Sequence, residues 1–286
     1  MHSSRLQVGD VSLTVREWGD ADGRPLIYWH GLNPFGALEL NEAGPAWADA
    51  GFRVVAVAAP GIADSPSLPD LTAYRPTRLA ELVLHVADVL GLRAFAYVGW
   101  SWGASIGVYL GACHAKRIDA LVLLDGGHVD IPGDPGRSLE DVLAELSAQQ
   151  ERYRFGSWDE FLAAARETRA SWRPALEERL RAGMKEDANG GIVARSDRRA
   201  AAAAWHGLLQ EQPSLAHEAL GRSGIPVLLV VATRNDTTAE VERFRAAVPQ
   251  AETLEIDSDH DLLANAADET IRVVREWLRS AVGVRN

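Results

Sequence analysis

Cysteine is almost missing from this 286-residue chain: Cys113 stands alone, which excludes an internal disulfide. There is no HExxH, no pair of CxxC segments and no other tight group of ligating residues, so no metal is expected. The glycines between Gly99 and Gly107 do not form a nucleotide-binding fingerprint, and no cofactor is expected either. A run of about eighteen apolar residues, the length that crosses a bilayer, occurs nowhere. The opening residues Met1-His2-Ser3-Ser4-Arg5-Leu6-Gln7-Val8 lack the apolar stretch of a secretion signal, and the expectation is a soluble, cytoplasmic protein. Positive charge is also short. With 29 Lys and Arg against 40 Asp and Glu, the net charge of −11 opposes binding to nucleic acid or to an anionic membrane surface. Repeats and low-complexity linkers are absent; Ala200 to Ala204 reads as part of a helix. What is plentiful is apolar surface, at 47% of residues, enough for a full-sized core in one domain with an inserted segment.

Short apolar runs alternate with helical patterns along most of the chain. Strands are predicted at Leu26-Ile27-Tyr28-Trp29, Val54-Val55-Ala56-Val57, 95 to 98, 119 to 124, 226 to 231 and Thr253-Leu254-Glu255-Ile256, with helices over 77 to 90 and 101 to 114. Such alternation implies a parallel sheet covered on both faces. Residues 5 to 8 and 11 to 18 alternate in polarity and read as an antiparallel hairpin closing one edge.

The densest chemical signal is Gly99-Trp100-Ser101-Trp102-Gly103, a G-x-S-x-G between a strand and a helix. A turn this sharp lifts Ser101 into the open at a helix N-terminus, and the flanking glycines prevent strand and helix from clashing. The Trp102 N–H then faces any oxyanion formed there. A second donor is expected from Leu32, in the loop His30-Gly31-Leu32-Asn33-Pro34 that follows a predicted strand. His30, fixed in that turn, reads first as a hydrogen-bonding strut. It also joins Trp100 and His128 as a candidate for the pocket wall.

These residues resemble the α/β-hydrolase superfamily. Pro60-Gly61-Ile62-Ala63-Asp64-Ser65 is similar to its P-G-x-x-x-S turn, and the likeness runs nearly the whole chain. The resemblance implies an α/β-hydrolase fold with a core of residues 1–127 and 221–286, and an all-helical cap, 128–220, inserted after the sixth strand. Helices are predicted there over 138 to 152, 157 to 169, 173 to 186 and 196 to 211, with Ser138, Ser157 and Ser196 as N-caps and Pro174 in a first turn. Trp158, Trp172, Trp205, Phe155 and Phe161 supply its apolar faces; one or two are expected to reach a substrate.

A general base must be drawn from eight histidines. His260 follows the last predicted strand, where the family's chain order places its histidine, and Asp257-Ser258-Asp259-His260-Asp261-Leu262-Leu263 is similar to the family's G-H-x-L with Asp259 for the glycine. Two aspartates compete to orient it. Asp125 ends the sixth strand, a position the resemblance assigns to a minority of members; Asp236 follows the seventh, where most carry the acid. Ala232-Thr233-Arg234-Asn235-Asp236 lacks the usual glycine, and its connection to His260 is short, so Asp125 is preferred and Asp236 kept as the alternative.

The expected reaction is serine hydrolysis of a small, largely apolar ester or related acyl compound through an acyl-enzyme. Alternatives on the same fold are a cofactor-independent haloperoxidase or perhydrolase, a carbon–carbon bond hydrolase and a prolyl-type aminopeptidase; a non-catalytic small-molecule binder is the alternative from another class. Serine at the elbow argues against an epoxide hydrolase or dehalogenase, which the resemblance says carry aspartate there. Substrate identity and oligomeric state are left open.

Overall fold

The computed structural model describes residues 1–152, 154–167 and 172–283. Among these described residues ten strands occur in chain order: β1 (His2–Val8), β2 (Val11–Trp18), β3 (Arg24–Trp29), β4 (Phe52–Val57), β5 (Phe95–Trp100), β6 (Ile118–Leu124), β7 (Met184–Glu186), β8 (Ile192–Ala194), β9 (Val227–Ala232) and β10 (Ala251–Ile256). Eight of them form one sheet in the order β1-β2-β4-β3-β5-β6-β9-β10. From β4 to β10 every neighbouring pair is parallel, while β2 runs against both β1 and β4. Strands such as β5 and β9 are buried at every residue, as unbroken apolar runs between two helical layers must be.

Helices cover both faces. On one lie α2 (Pro76–Val89), α3 (Trp102–His114), α8 (His217–Ser223) and α9 (Thr238–Ala247); on the other lie α1 (Ala43–Ala48), α10 (Leu262–Asn265) and α11 (Ala267–Ala281). In α11 the buried residues Thr270, Val274, Trp277 and Leu278 recur at helical spacing and form one stripe against the sheet. Nearly all of α3 is buried, so it has no polar face, consistent with a helix packed under the sheet's centre and α8.

Between β6 and α8 lies the inserted segment, containing α4 (Leu139–Arg152), α5 (Trp158–Glu167), α6 (Pro174–Ala182) and α7 (Arg198–Gln210). Residues 168 and 169, predicted as the end of the second cap helix, lie outside the described residues. Ser138 and Ser157 accept bonds from the amides of Asp141 and Glu160. Ser196 does not cap α7: Asp197 does, accepting from the amides of Arg199 and Ala200. A carboxylate is the stronger acceptor at a helix's positive end.

The cap is not all-helical. The predicted helix 173 to 186 stops at Gly183, and β7 pairs antiparallel with β8. Asp187 drives the reversal, its Oδ1 accepting from the amides of Asn189 (2.8 Å) and Gly191 (3.0 Å), with Gly190 at φ 78°. This is side-chain turn chemistry that helical periodicity does not register. The cap is also shorter than predicted at its far end, because α8 begins at His217 and packs on α3.

Candidate active site

Ser101 sits between β5 and α3 with φ 53° and ψ −112°, a conformation that costs a non-glycine residue about 1–3 kcal/mol. Neighbours hold it there. Its N–H donates to Leu124 O at 2.9 Å, and its own carbonyl accepts from Ser105 N at 3.1 Å. A Cβ on Gly99 would lie 2.3 Å from Gly103 O, and one on Gly103 would lie 2.2 Å from Trp29 O, so neither position admits a larger residue without backbone movement. Trp102 opens α3, and its N–H belongs to the first-turn amides that have no carbonyl one turn earlier to bond.

The sheet order sets β6 beside β5, which brings Asp125 to Ser101's side. Asp125 is buried, with its N–H bonded to Val230 O (2.8 Å) and its Oδ1 accepting from Ala232 N (3.0 Å). Its Oδ2 is 2.7 Å from His260 Nδ1, and His260 Nε2 is 2.8 Å from Ser101 Oγ. With Nδ1 donating to the carboxylate, Nε2 is free to accept the serine proton. Residues 101, 125 and 260, at the carboxyl ends of three strands, thus form one hydrogen-bonded chain. A hydroxyl bonded to an imidazole, itself bonded to a buried carboxylate, can lose its proton to nitrogen while the carboxylate stabilises the imidazolium.

Asp236 takes no part. It lies exposed in the loop after β9, and the carboxylate at His260 is that of Asp125. Trp100 is not a wall residue of the cavity described below; its ring lies 5.3 Å from that of His260 and its Nε1 donates to His260 O at 2.9 Å, which places it beneath the imidazole. His30 is also outside that wall. It is fully buried, its Nε2 accepts from Ala59 N at 2.9 Å, and its Nδ1 donates to Gly31 O at 2.6 Å. Burial lowers its pKa to about 4, so it is a neutral strut joining two loops. His128 is buried too, with its ring nitrogens 3.4 Å from Gly126 O and 3.3 Å from Thr237 Oγ1, and burial lowers its pKa. Like His217, which bonds Gly127 O at 2.7 Å, it braces the loop after β6.

A cavity of about 630 Å³ opens between the loop after β3 and the cap. Leu32, Asn33, Pro34 and Phe35 form its floor, and Phe155, Phe161, Leu180 and Met184 its apolar roof. Of the five cap aromatics singled out from sequence, Phe155 and Phe161 reach it; Trp158 and Trp172 pack inside the cap and Trp205 against α4. Among the described residues no cluster of His, Cys, Asp and Glu is able to hold a metal ion, and no helix is long and apolar enough to cross a membrane.

The family model described as the alpha/beta hydrolase fold matches residues 24–267. The chain belongs to the α/β-hydrolase family. Among curated proteins, this family member is 34% identical over 103 residues to a putative non-heme haloperoxidase of Mycobacterium phage D29, covering 36% of each chain. It is 33% identical over 131 residues to a 2-hydroxy-6-oxononadienedioate/2-hydroxy-6-oxononatrienedioate hydrolase of Burkholderia vietnamiensis, covering 45% of this chain and 44% of the relative. Both matches thus span less than half of the relative's length. Among solved structures, the enol-lactonase of Burkholderia xenovorans superposes with a TM-score of 0.74 over 96% of this chain and 99% of that one, at 20% identity, a likeness of fold.

Sequence reasoning missed Glu39, Arg179 and Asp261, three buried or nearly buried ionisable groups around the site. No local pattern announces them, because Arg179 and Asp261 meet across 82 residues of chain.

Proposed function

We propose that this α/β-hydrolase is a serine hydrolase that cleaves small, largely apolar esters or related acyl compounds. The observation that carries the reading is the unbroken hydrogen-bonded chain from Ser101 Oγ through His260 to Asp125. His260 Nε2 takes the proton as Ser101 Oγ attacks the carbonyl carbon, and Asp125 balances the charge on the ring. The amides of Leu32 and Trp102 receive the oxyanion. Collapse of the tetrahedral intermediate expels the alcohol, which leaves with the proton from His260. Water, deprotonated by the same nitrogen, then attacks the acyl-enzyme and releases the acid. The apolar roof of Phe155, Phe161, Leu180 and Met184 favours a hydrocarbon-rich substrate portion, while Lys185, Asp187 and Arg198 also line the cavity.

A panel of p-nitrophenyl esters, with fluorophosphonate labelling read by mass spectrometry, tests this. Turnover and a mass shift on Ser101 are expected, both lost in Ser101→Ala; a folded wild-type protein that neither turns over esters nor labels would sink the reading. The local similarity to a protein named as a haloperoxidase favours one second reading, in which hydrogen peroxide instead of water attacks the same acyl-enzyme and yields a peracid. A peracid assay with and without peroxide separates the two.

A further inference from the structure

The cap is fastened to the chain around His260 by two arginines, and they differ in kind. Arg173, which precedes α6, is partly exposed and grips Glu42 through two bonds of 2.7 Å, with further bonds to Leu263 O (2.9 Å) and Ala264 O (2.6 Å). Arg179, on α6, is 4% exposed and donates from Nη2 to Asp261 Oδ2 at 2.5 Å. Its Nε has no hydrogen-bond partner among the described residues. Burying a guanidinium with an unmade bond is a poor way to hold a cap that Arg173 already holds.

What Arg179 touches indicates another use. Asp261 directly follows His260 in the chain. On its other side the guanidinium lies 5.1 Å from the centre of the Phe35 ring, at the end of the loop that carries Leu32. That loop is braced from below by Glu39, which accepts from Tyr28 Oη at 2.5 Å and from Asn33 Nδ2. Asn33 in turn accepts from Phe35 N at 2.8 Å and faces the cavity. The charges of Arg179 and Asp261 both act on Glu39.

We propose that Arg179 is a positioning residue, coupling the seating of the cap to the placement of the His260 segment through Asp261 and of the Leu32 loop through the Phe35 ring. This rests on the reading that His260 and the Leu32 amide serve the chemistry at Ser101. Withdrawing the guanidinium frees both halves of the site at once, whereas loss of Arg173 releases Glu42, Leu263 and Ala264 and leaves the Leu32 loop in place.

The network also carries a pH signature. Burial raises the Glu39 carboxyl to about 8 against the opposing charge of Arg179. Burial alone would lower Arg179, but Asp261 and Glu39 outweigh it and hold the guanidinium above its ordinary value. The groups facing Glu39 are therefore Tyr28, Asn33, Arg179 and Asp261. Below pH about 8 Glu39 is protonated, and Arg179 bonds the Asp261 carboxylate while resting on the Phe35 ring; above it, a second carboxylate competes for the guanidinium.

The test compares full-length wild type with Arg179→Met, Arg179→Lys, Glu39→Gln and, as a remote control, Arg53→Met, using p-nitrophenyl acetate and hydrogen exchange. Arg179→Met is expected to lose at least about tenfold in kcat with KM within about twofold, and to exchange faster at residues 30–35 and 258–264 but not in β5 or β6. Arg179→Lys recovers most of the loss, and Arg53→Met matches wild type. Glu39→Gln lacks an alkaline fall near pH 8 that wild type displays. Arg179→Met with unchanged kcat and unchanged exchange in both segments overturns the proposal, as does a Glu39→Gln profile identical to wild type. Should Arg179→Met fail to fold, Asp261→Asn, which keeps the side chain's shape, is judged by the same kcat and exchange criteria. A wild type that does not label on Ser101 defeats the serine-hydrolase reading, and the exchange experiment, which needs no turnover, then decides the positioning role by itself.

Discussion

Asp125 and Asp236 leave the carboxyl ends of neighbouring strands, β6 and β9, and have met opposite fates. Asp125 is sealed, backed by the Ala232 amide and aimed at His260, while Asp236 stands in solvent. An aspartate in water is already satisfied and has no preferred direction. One in a dry site, with a single amide committed to one oxygen, has its other oxygen fixed in space. Orientation, and not mere proximity to the sheet's edge, separates a carboxylate that holds an imidazole from a solvated one. His260 and His30 repeat the contrast: the first is half exposed and available, the second buried with both nitrogens occupied.

The comparison breaks first at the aspartates. Asp125→Asn is expected to cut kcat for p-nitrophenyl esters by about ten-thousandfold, since the amide favours the wrong tautomer of His260, while Asp236→Asn stays within about twofold of wild type. Equal losses in steady-state rates would erase the distinction drawn here. A smaller effect is expected at the cavity roof. Phe161→Ala removes apolar contact worth roughly 1.5–3 kcal/mol, so KM for longer acyl chains should rise about tenfold or more with kcat for the acetyl ester unchanged.

For the histidines the readout is stability. Because burial lowers His30 to about 4 from an unfolded value of 6.5, the unfolded chain takes a proton first as pH falls. Its contribution is complete above pH 6.5 and is lost between 6.5 and about 4; His128 and His217, also lowered by burial, add to the same trend. Thermal unfolding across that range should fall more steeply for wild type than for His30→Gln, which carries no titrating group. Parallel curves would deny His30 its part. The smallest change belongs to a third aspartate. Asp187→Ala should lower the melting temperature slightly and leave kcat for the acetyl ester intact, since its carboxylate holds the turn between β7 and β8 and pairs with Arg154, away from Ser101, Asp125 and His260.

How much of this was legible in the chain follows from the range of the interactions involved. The elbow at Ser101 is readable because its demands are local: small residues two positions either side of the serine, a strand before and a helix after. The same holds for the sheet, whose strands are unbroken apolar runs. Asp125 and Asp236 were harder to separate, since the deciding partners, Ala232 and His260, lie 107 and 135 residues from Asp125. Asp187 was overlooked because a helix-like pattern of apolar residues continued past Gly183 while the turn chemistry favoured reversal. Trp100 and His128 looked like wall residues because they flank strand ends; which way a side chain leaves such an end depends on packing that no single segment encodes.

The floor of the cavity comes from the loop after β3, and its roof from a stretch inserted between β6 and β9. On the proposed function, the roof of the substrate cavity is encoded apart from the strand ends that carry Ser101, Asp125 and His260, and exchanging residues 155–201 for another insert is expected to change substrate choice while those three stay where the strands hold them. If Arg179 positions the site as proposed, such a graft must also bring a cation to Asp261, or turnover falls as expected for Arg179→Met.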